Sequence, residues 1–298
     1  MVILSFGLLC QRFQRFQRFQ RFSVRMKPTI ALVTCSFQQA RYLDATIRSV
    51  LDQRYEPLEY VIMDGGSRDG SVDIIRRHAP RLAGWVSEKD AGQTDALIKG
   101  FARTRGEIMG WLCSDDLLLP GALERVASFF QSHPDVGAFY GDSIWIDQFG
   151  GVIRPKREVS FRRFPFLFDH NHVPQPSMFW RRSLYERVGG LDPQFNLAMD
   201  TDLWERFSRA GRIEHRSVYL SCMRYYPEQK TRALKPAARV EDARIRSRSP
   251  LGRLKALQPV LYPLAKASRV VEKALTGGYV SKIDEEILGS LQSYRIPA

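Results

Sequence analysis

The chain has 298 residues, and 44% of them are hydrophobic, so it is long enough for one large domain or two small ones with a globular core. Its four cysteines are scattered without a CxxC pair, which argues against a disulfide framework and against a zinc site. The net charge of +13 lies in the ends of the chain, since residues 1–25 contain five arginines and no acid, and residues 232–273 contain eleven lysines and arginines and three acids. These basic ends suggest an anionic surface as partner. A nucleic-acid partner is not expected, because no recognition motif accompanies the charge.

Residues 1–26 are predicted to form a disordered, low-complexity extension. Residues 11–22 read QRF four times, and a period of three residues fits neither a helix nor a strand. Residues 2–10 resemble the apolar part of a signal peptide, but no basic residues precede them and no small-residue cleavage site follows. Because Met26 stands directly before the first convincing strand, we expect it to be the natural start.

From residue 27 onwards, patterns typical of strands and helices alternate four times. The predicted strands are continuous apolar runs at Thr29–Thr34, Leu58–Met63, Leu82–Ser87 and Glu107–Leu112. The predicted helices are Tyr42–Leu51, a helix that begins with Asp69 as its cap, Ala91–Arg103 and Gly121–Gln131. This alternation predicts an α/β fold with a Rossmann-like, mostly parallel sheet flanked by helices.

The pattern is less regular in the second half of the chain. Predicted there are a strand at Val136–Tyr140, a hairpin of Ser143–Asp147 with Val152–Ile153, strands at Ser177–Trp180 and Glu214–Cys222, and helices at Arg182–Val188 and Asp200–Ala210. We place a domain boundary near residue 230, so that residues 27–230 form the main domain. Residues 231–298 are predicted to form a small, basic, helical extension, broken by prolines into short helices such as 251–257 and 260–275.

The most informative stretch is an apolar run that ends at Leu112 and is followed by the adjacent carboxylates Asp115 and Asp116. In an open α/β sheet, ligands bind outside the carboxyl ends of the strands. Two neighbouring carboxylates at such an end are tolerated most easily if a divalent cation neutralises them, and oxygen ligands suit Mg²⁺ or Mn²⁺. The alternative is that both residues only cap the helix that follows.

The other predicted strands also end in polar residues. Thr34-Cys35-Ser36, Asp64-Gly65-Gly66-Ser67 and Ser87-Glu88-Lys89-Asp90 would all lie along the same edge. Asp64 could be merely a turn residue. A dinucleotide fingerprint is excluded because no GxGxxG follows the first strand, and no GxxxxGK[ST] phosphate loop is present.

Five segments carry a resemblance to a known family: TCSFQQARYLDATIRSVLDQ (34–53), YVIMDGGSRDGSVDII (60–75), SEKDAGQTDALIKGF (87–101), GWLCSDDLLLPGAL (110–123) and AMDTDLWERF (198–207). Together, and in this order, they resemble the motifs of family 2 glycosyltransferases with the GT-A fold. The resemblance covers roughly residues 27–225. It implies a nucleotide-sugar donor, a divalent metal and inversion at the anomeric carbon.

On the donor side, the resemblance implies that Thr34 and Ser36 contact the base and ribose and that Asp64 binds the nucleoside. Asp115 matches the residue near the ribose and the sugar. Asp90, together with Gln93 and Lys99, matches the segment beside the diphosphate and the donor sugar. Lys99 could instead be an ordinary solvated helix residue.

The resemblance assigns Asp116 as the direct metal ligand and Asp200 as the catalytic base. Asp200 could instead only cap its helix. Asp202 is a rival base, but the i, i+2 spacing turns it to another face of the helix. Many relatives carry a histidine after the last strand, and in this sequence Tyr226 stands at that position. Since tyrosine is a poor ligand for Mg²⁺, this departure concerns the affinity for metal.

The expected function is that of a metal-dependent inverting glycosyltransferase. UDP-sugar is the favoured donor, with dTDP- and GDP-sugars open, and the expected acceptor is a glycan or a lipid-linked saccharide of the cell surface. The alternative is a degenerate GT-A module that binds nucleotide or glycan without turnover. We expect a cytoplasmic enzyme, peripheral at the inner face of the membrane.

The membrane expectation depends on residues 232–273. In the predicted helix 260–275, Leu261, Leu264, Val271 and Leu275 are mixed with cationic residues, and such helices can lie in a membrane interface. The alternative is that the apolar face of this helix packs on the main domain.

Overall fold

A computed structural model describes residues 26–280 and 282–296, in which nine strands form one mixed sheet. The predicted disordered extension, apart from Met26, lies outside the described residues. The strands are ordered β3, β2, β1, β4, β8, β6, β9, β5 across the sheet, and β7 pairs with the C-terminal part of β6. Their bounds are β1 Ile30–Ser36, β2 Leu58–Asp64, β3 Gly84–Ser87, β4 Ile108–Cys113, β5 Leu117–Leu118, β6 Val136–Ile146, β7 Val152–Lys156, β8 Met178–Arg181 and β9 Arg212–Arg224.

The first half of the sheet has the predicted parallel arrangement. Strand β1 runs parallel to both β2 and β4, and β2 runs parallel to β3. The second half is mixed, because β8 is antiparallel to β4 and β6, whereas β6 and β9 are parallel. The predicted separate strands at 136–140 and 143–147 are one strand, β6, which also forms the predicted hairpin with β7.

The helices of the described residues are α1 Ala40–Leu51, α2 Ser71–His78, α3 Gln93–Phe101, α4 Ala122–Ser132, α5 Arg163–Phe168, α6 Arg182–Arg187, α7 Met199–Ala210, α8 Lys230–Ala233, α9 Lys235–Arg248, α10 Gln258–Leu275 and α11 Glu285–Leu291. Helix α2 begins one residue after Gly70, so Asp69 is not its N-cap as predicted; its carboxylate still accepts a hydrogen bond from the Ser71 N–H. Helix α10 contains Pro263 in its interior, as the predicted helix 260–275 does.

Apolar clusters cover both faces of the sheet. Residues alternate along β1, so that Ala31 and Val33 belong to one cluster, whereas Ile30 and Leu32 belong to the other. The first cluster contains three buried tryptophans, Trp111, Trp180 and Trp204, whose rings lie 5.3–5.4 Å from one another. It joins β4 and β8 to α7, and therefore fixes this helix against the centre of the sheet.

The C-terminal helices pack on the same core. Ile245 of α9 and Ala265 of α10 are fully buried within the first cluster, and Leu261 packs against it. Leu291 and Tyr294 close a third, smaller cluster with Leu117 and Leu119. Among the described residues, no helix is both long enough and apolar enough to cross a bilayer.

Candidate functional site

The polar residues predicted to lie at one edge of the sheet are brought together there. Parallel register places Ser36 beside Asp64, and Asp64 beside Ser87. On the other side of β1, Cys35 is paired with Cys113, two residues before Asp115. The ends of β1 to β4 therefore form one continuous rim.

Asp64 organises the loop that leaves β2. Its Oδ2 accepts hydrogen bonds from the backbone N–H groups of Gly66 and Ser67, at 3.1 and 2.9 Å, and from the Ser87 hydroxyl at 2.7 Å. Its Oδ1 accepts a further bond from the Ser67 hydroxyl at 2.6 Å. Since a carboxylate has about four acceptor positions, these bonds occupy its capacity. The turn alternative is thus observed, and direct contact of Asp64 with a nucleoside stays a prediction.

The loops after β2 and β3 approach each other closely. A Cβ on Gly65 would lie 2.8 Å from Asp90 Oδ2, so a larger residue there would displace the Asp90 carboxylate. The other oxygen of Asp90 accepts a bond from the Gly92 N–H at 2.8 Å, directly before α3. Gln93, the first residue of α3, donates to Cys113 Sγ at 3.3 Å. Gln93 therefore lies beside the end of β4, and Asp90 lies between the loop after β2 and the start of α3.

Two of the predicted site residues are placed elsewhere. The Thr34 side chain is fully buried inside the sheet, where its hydroxyl lies 2.9 Å from the Tyr60 hydroxyl. The Thr34 side chain is therefore not on the rim. Ser36 is on the rim, and its buried hydroxyl has no hydrogen-bond partner among the described residues. Lys99 forms an ion pair with Asp95 at 2.8 Å on α3, as the solvated-helix alternative predicts, although its ammonium group also lies 3.9 Å from Glu88 of the loop after β3.

Asp115 and Asp116 lie in a tight turn and do not cap a helix. The Asp116 N–H donates to the Cys113 carbonyl at 3.1 Å, and the short strand β5 follows before α4 begins. The N-cap of α4 is Gly121, with φ +74°. The Thr46 hydroxyl of α1 lies 2.8 Å from the carbonyl oxygen of Asp116 and supports the turn from below. The capping alternative is therefore wrong.

Both carboxylates are held by residues from the end of β9. The backbone N–H of Arg224 donates to Asp116 Oδ1 at 2.8 Å, and its Nε donates to the Asp115 carbonyl at 2.8 Å. The Tyr226 hydroxyl donates to Asp115 Oδ2 at 2.9 Å. The tyrosine at the expected histidine position thus orients a carboxylate, and Arg224, which is 1% exposed, brings a positive charge beside the pair.

Burial shapes the electrostatics of this pair. Asp115 and Asp116 are only 9% and 4% exposed. Desolvation raises the pKa of both carboxyls, most strongly for Asp116, where the neighbouring Asp115 charge adds to the effect. Ligand atoms of Cys113, Asp115 and Asp116 lie within 4.8 Å of one another. A divalent cation fits this set, because it would neutralise two hard oxygen donors that are close together and deprived of water.

Asp200 is the second residue of α7 and is partly buried. Its Oδ2 accepts a bond from Asn171 Nδ2 at 3.0 Å, and its Oδ1 accepts the Thr201 N–H at 2.8 Å. Burial raises its pKa to about 6, and the charge of Asp242 acts in the same direction. The N-cap position of α7 is Ala198, so capping does not account for Asp200. The described residues include no cation paired with this carboxylate.

The rival Asp202 has a structural role. Its carboxylate forms an ion pair with Arg206 at 2.5 Å on the next turn of α7. Arg206 also donates to the carbonyl oxygens of Val188 and Gly190, at 2.9 and 2.7 Å. Asp202 therefore fastens α7 to the loop after α6.

Sequence reasoning missed three polar residues of the site. Arg224 and Asn171 were not singled out, because the partners of each lie far away in the chain, from 29 residues for Asn171 and Asp200 to 109 residues for Arg224 and the Asp115 carbonyl. Gln175 accepts a bond from Cys113 Sγ at 3.4 Å and donates to the Trp111 carbonyl at 2.8 Å. The proline-flanked Pro174-Gln175-Pro176 segment was the only available signal for this residue.

Comparison with known proteins supports the resemblance found in the sequence. A family model described as "Glycosyl transferase family 2" matches residues 31–189, which is more than half of the chain. An uncharacterized glycosyltransferase of Mycobacterium tuberculosis strain H37Rv is 30% identical over 177 residues, which is 59% of this chain and 67% of that protein.

Two solved structures share the fold. S. aureus TarS 1-349 in complex with UDP-GlcNAc matches with a TM-score of 0.59 and 14% identity, over 89% of this chain and 79% of that one. The mannosyltransferase PcManGT from Pyrobaculum calidifontis, in complex with GDP-Man and Mn²⁺, matches with a TM-score of 0.57 and 17% identity, over 97% and 92%. The predicted GT-A fold class is confirmed by these similarities.

Proposed function

The chain belongs to glycosyl transferase family 2 and is a glycosyltransferase, and we propose that it transfers a sugar from a nucleotide-sugar donor by a metal-dependent, inverting mechanism. The observation that carries the proposal is the buried Asp115–Asp116 pair on the turn after β4, held by Arg224 and Tyr226. A UDP-sugar is the favoured donor. Similar proteins of known structure have been seen with UDP-GlcNAc and with GDP-Man, which supports a nucleotide sugar without deciding between the bases.

Different parts of the rim formed by β1 to β4 would bind different parts of the donor. Ser36 and the loop organised by Asp64 would receive the nucleoside, since the Ser36 hydroxyl on this rim has no hydrogen-bond partner among the described residues. Asp90, Gln93 and Asp115 would face the diphosphate and the sugar. Lys99 is engaged with Asp95, and we leave it outside the donor site.

Asp116 would hold the metal, Mg²⁺ or Mn²⁺, with Asp115 beside it and the diphosphate oxygens completing the ligand set. Bound there, the metal would supply charge stabilisation to the diphosphate leaving group. Tyr226 and Arg224 would fix the two carboxylates in position, so that they need no rearrangement when donor binds.

Asp200 would accept the proton of the acceptor hydroxyl as general base. An unpaired carboxylate with a pKa of about 6 is largely ionised at neutral pH and still basic enough to take a proton. Asn171, which donates to Oδ2, would fix the orientation of the carboxylate and leave part of its acceptor capacity for the substrate.

A panel of UDP-, dTDP- and GDP-sugars tests the function. With Mn²⁺ or Mg²⁺, we expect release of nucleoside diphosphate from at least one donor, with or without an added saccharide acceptor. Tyr226 at the expected histidine position keeps the second candidate, a non-catalytic nucleotide- or glycan-binding module, in view. Binding of nucleotide without release of diphosphate from any donor would establish the second candidate.

The acid side of the pH profile tests the base. With metal and donor saturating, we expect kcat to be constant above neutral pH and to fall about tenfold per pH unit below pH 6, because protonated Asp200 accepts no proton. The measurement is kcat for diphosphate release between pH 4.5 and 8. A limb near pH 4, the ordinary range of an exposed carboxyl, would contradict the role proposed for Asp200.

The acceptor is proposed to be a glycan or a lipid-linked saccharide at an anionic membrane surface. In the C-terminal helix, Leu261 and Ala265 of α10 pack inwards, as the alternative of packing on the main domain requires. A row of apolar side chains nevertheless remains exposed. This exposed row consists of Leu257, Val260, Leu264, Val271 and Leu275, with exposures of 51, 60, 55, 55 and 84%. A row of this size marks a surface that binds an apolar partner.

The charge around the exposed row is smaller than the composition suggests. Lys273 is buried, and Arg269 forms an ion pair with Asp169 at 2.6 Å. Lys266 and Arg253 are exposed near the row. We therefore propose that apolar insertion, assisted by these cations, holds the enzyme at the cytoplasmic leaflet.

Vesicle co-sedimentation tests the exposed row. Replacing Leu264 and Val271 together by asparagine should weaken binding to anionic vesicles at least about tenfold, since burying each side chain is worth about 1.5–3 kcal/mol. The matched control replaces Val152 and Ile153, exposed apolar residues of β7, and should bind normally. Equal binding by both double variants would exclude the row as the membrane surface.

A further inference from the structure

We propose that Glu241, in the basic C-terminal segment, is a positioning residue for Asp200, which it controls by holding the three residues that lead into the helix that carries this carboxylate. The inference rests on the proposed function of Asp200 as base. It makes the C-terminal segment part of the reaction centre and not only a surface attachment.

The geometry at the start of α7 is specific. The first N–H groups of a helix lack partners within the helix, and the N-cap residue here, Ala198, has no side chain that could accept a bond. Glu241 Oε2 accepts hydrogen bonds from the N–H groups of Leu197 and Ala198, both at 2.8 Å. Its Oε1 lies 3.1 Å from the N–H of Asn196. One carboxylate from a different helix thus holds the three residues that lead into α7, including its N-cap residue Ala198, where negative charge is also favoured by the helix dipole.

The same loop is attached to the donor side of the site. The Thr94 hydroxyl of α3 donates to the Phe195 carbonyl at 2.6 Å, and the Asn196 side chain fills the space beside Gly92, where a Cβ would lie 2.9 Å from Asn196 Oδ1. Lys230 donates to the Asn196 carbonyl at 2.9 Å. Residues 195–198 therefore connect the start of α3, the start of α7 and the C-terminal segment, and Glu241 fixes this junction.

The residue next to Glu241 acts on the same carboxyl through charge. Asp242 is close enough for its charge to raise the pKa of Asp200. Asn171 and Thr201, which are neutral, and Asp242 of α9 surround Asp200. The pKa of Asp242 is itself raised, because the effect of burial exceeds the opposite effect of Arg246 one turn along. Helix α9 thus provides both the support and a charged neighbour of the proposed base.

Four variants test this role: Glu241→Ala, Glu241→Gln, Asp242→Asn and the matched control Glu272→Ala. Glu272 of α10 also ties the C-terminal segment to the main domain, through the Ser160 N–H at 2.9 Å and Arg162, but it does not contact α7. We expect Glu241→Ala to lower kcat for diphosphate release about 10- to 100-fold, because a small displacement of a catalytic group is costly, with KM for the donor changed less than about twofold. Glu241→Gln retains the oxygen acceptor and should recover most of kcat, and Glu272→Ala should keep the original kcat.

The pH profile gives a readout that a purely structural role would not change. Asp242→Asn removes a negative charge near Asp200, so the acid limb of kcat should move to lower pH. The proposal is overturned if Glu241→Ala and Glu272→Ala have the same kcat. It is also overturned if Glu241→Gln has a thermal unfolding curve that shows it to be folded and yet has a kcat as low as that of Glu241→Ala. If Asp200→Asn itself keeps full turnover, the proposed function has failed, and this result is distinguishable from the others.

Discussion

Replacing Asp200 by asparagine should lower kcat by about 10²–10⁴-fold, the usual contribution of a general base. Asparagine keeps the shape of the side chain and can still accept the Thr201 N–H and face Asn171, so α7 should keep its position. Because the base acts only on the acceptor, donor affinity should be nearly unchanged. The measurement is steady-state transfer or donor hydrolysis, combined with calorimetric titration of the donor.

Asp202→Asn is the matched control for this experiment, since it changes the same group two residues along the same helix. We expect it to lower stability through the loss of the Arg206 ion pair, while kcat of the folded enzyme remains within a few-fold of the original. If Asp202→Asn loses turnover and Asp200→Asn does not, the assignment of the base is wrong.

Replacing Asp116 by asparagine should strongly lower the transfer that depends on metal. The amide oxygen can still accept the Arg224 N–H, whereas alanine would leave this buried donor unpaired. The loss of a charged ligand should weaken metal binding and raise the activation free energy by several kcal/mol, which lowers turnover about 10²–10³-fold. Turnover as a function of Mn²⁺ concentration and the metal affinity of the nucleotide complex measure the two effects separately.

Stability is the control for Asp116→Asn. Burial disfavours the ionised form of this carboxyl, so a neutral side chain of the same shape should not lower the unfolding temperature of the metal-free protein. A variant that unfolds at the original temperature and keeps full activity, or an original enzyme that keeps full activity in EDTA, would contradict the assignment of Asp116 as metal ligand.

The sequence was sufficient for the first half of the fold and for the rim of the site. Buried parallel strands are recognisable as continuous apolar runs, and the rule that ligands lie at their carboxyl ends predicts that Ser36, Asp64, Asp90 and Asp115 lie along one edge. The rule does not decide which way a side chain points within a strand. Thr34 was therefore expected on the rim, although its side chain lies inside the sheet against Tyr60.

The remainder depends on contacts between distant parts of the chain. No local pattern shows that Arg224 and Tyr226 will contact the turn after β4. Nor does any local pattern show that Glu241 will accept a hydrogen bond from the N–H of Ala198, 43 residues earlier, at the start of α7. The mixed second half of the sheet was missed for the same reason, since β8 enters between β4 and β6 through tertiary packing and not through local periodicity.

The central claim is tested most directly by following donor hydrolysis by proton NMR, with water as acceptor and an α-linked nucleotide sugar that the enzyme accepts. The measurement is the anomer of the free sugar that appears first, before mutarotation, with Mg²⁺ and with EDTA. An inverting, metal-dependent enzyme should release the β-anomer first with Mg²⁺ and no sugar in EDTA, and Asp200→Asn should release almost none. Early appearance of the α-anomer, or equal release in EDTA, would contradict the account.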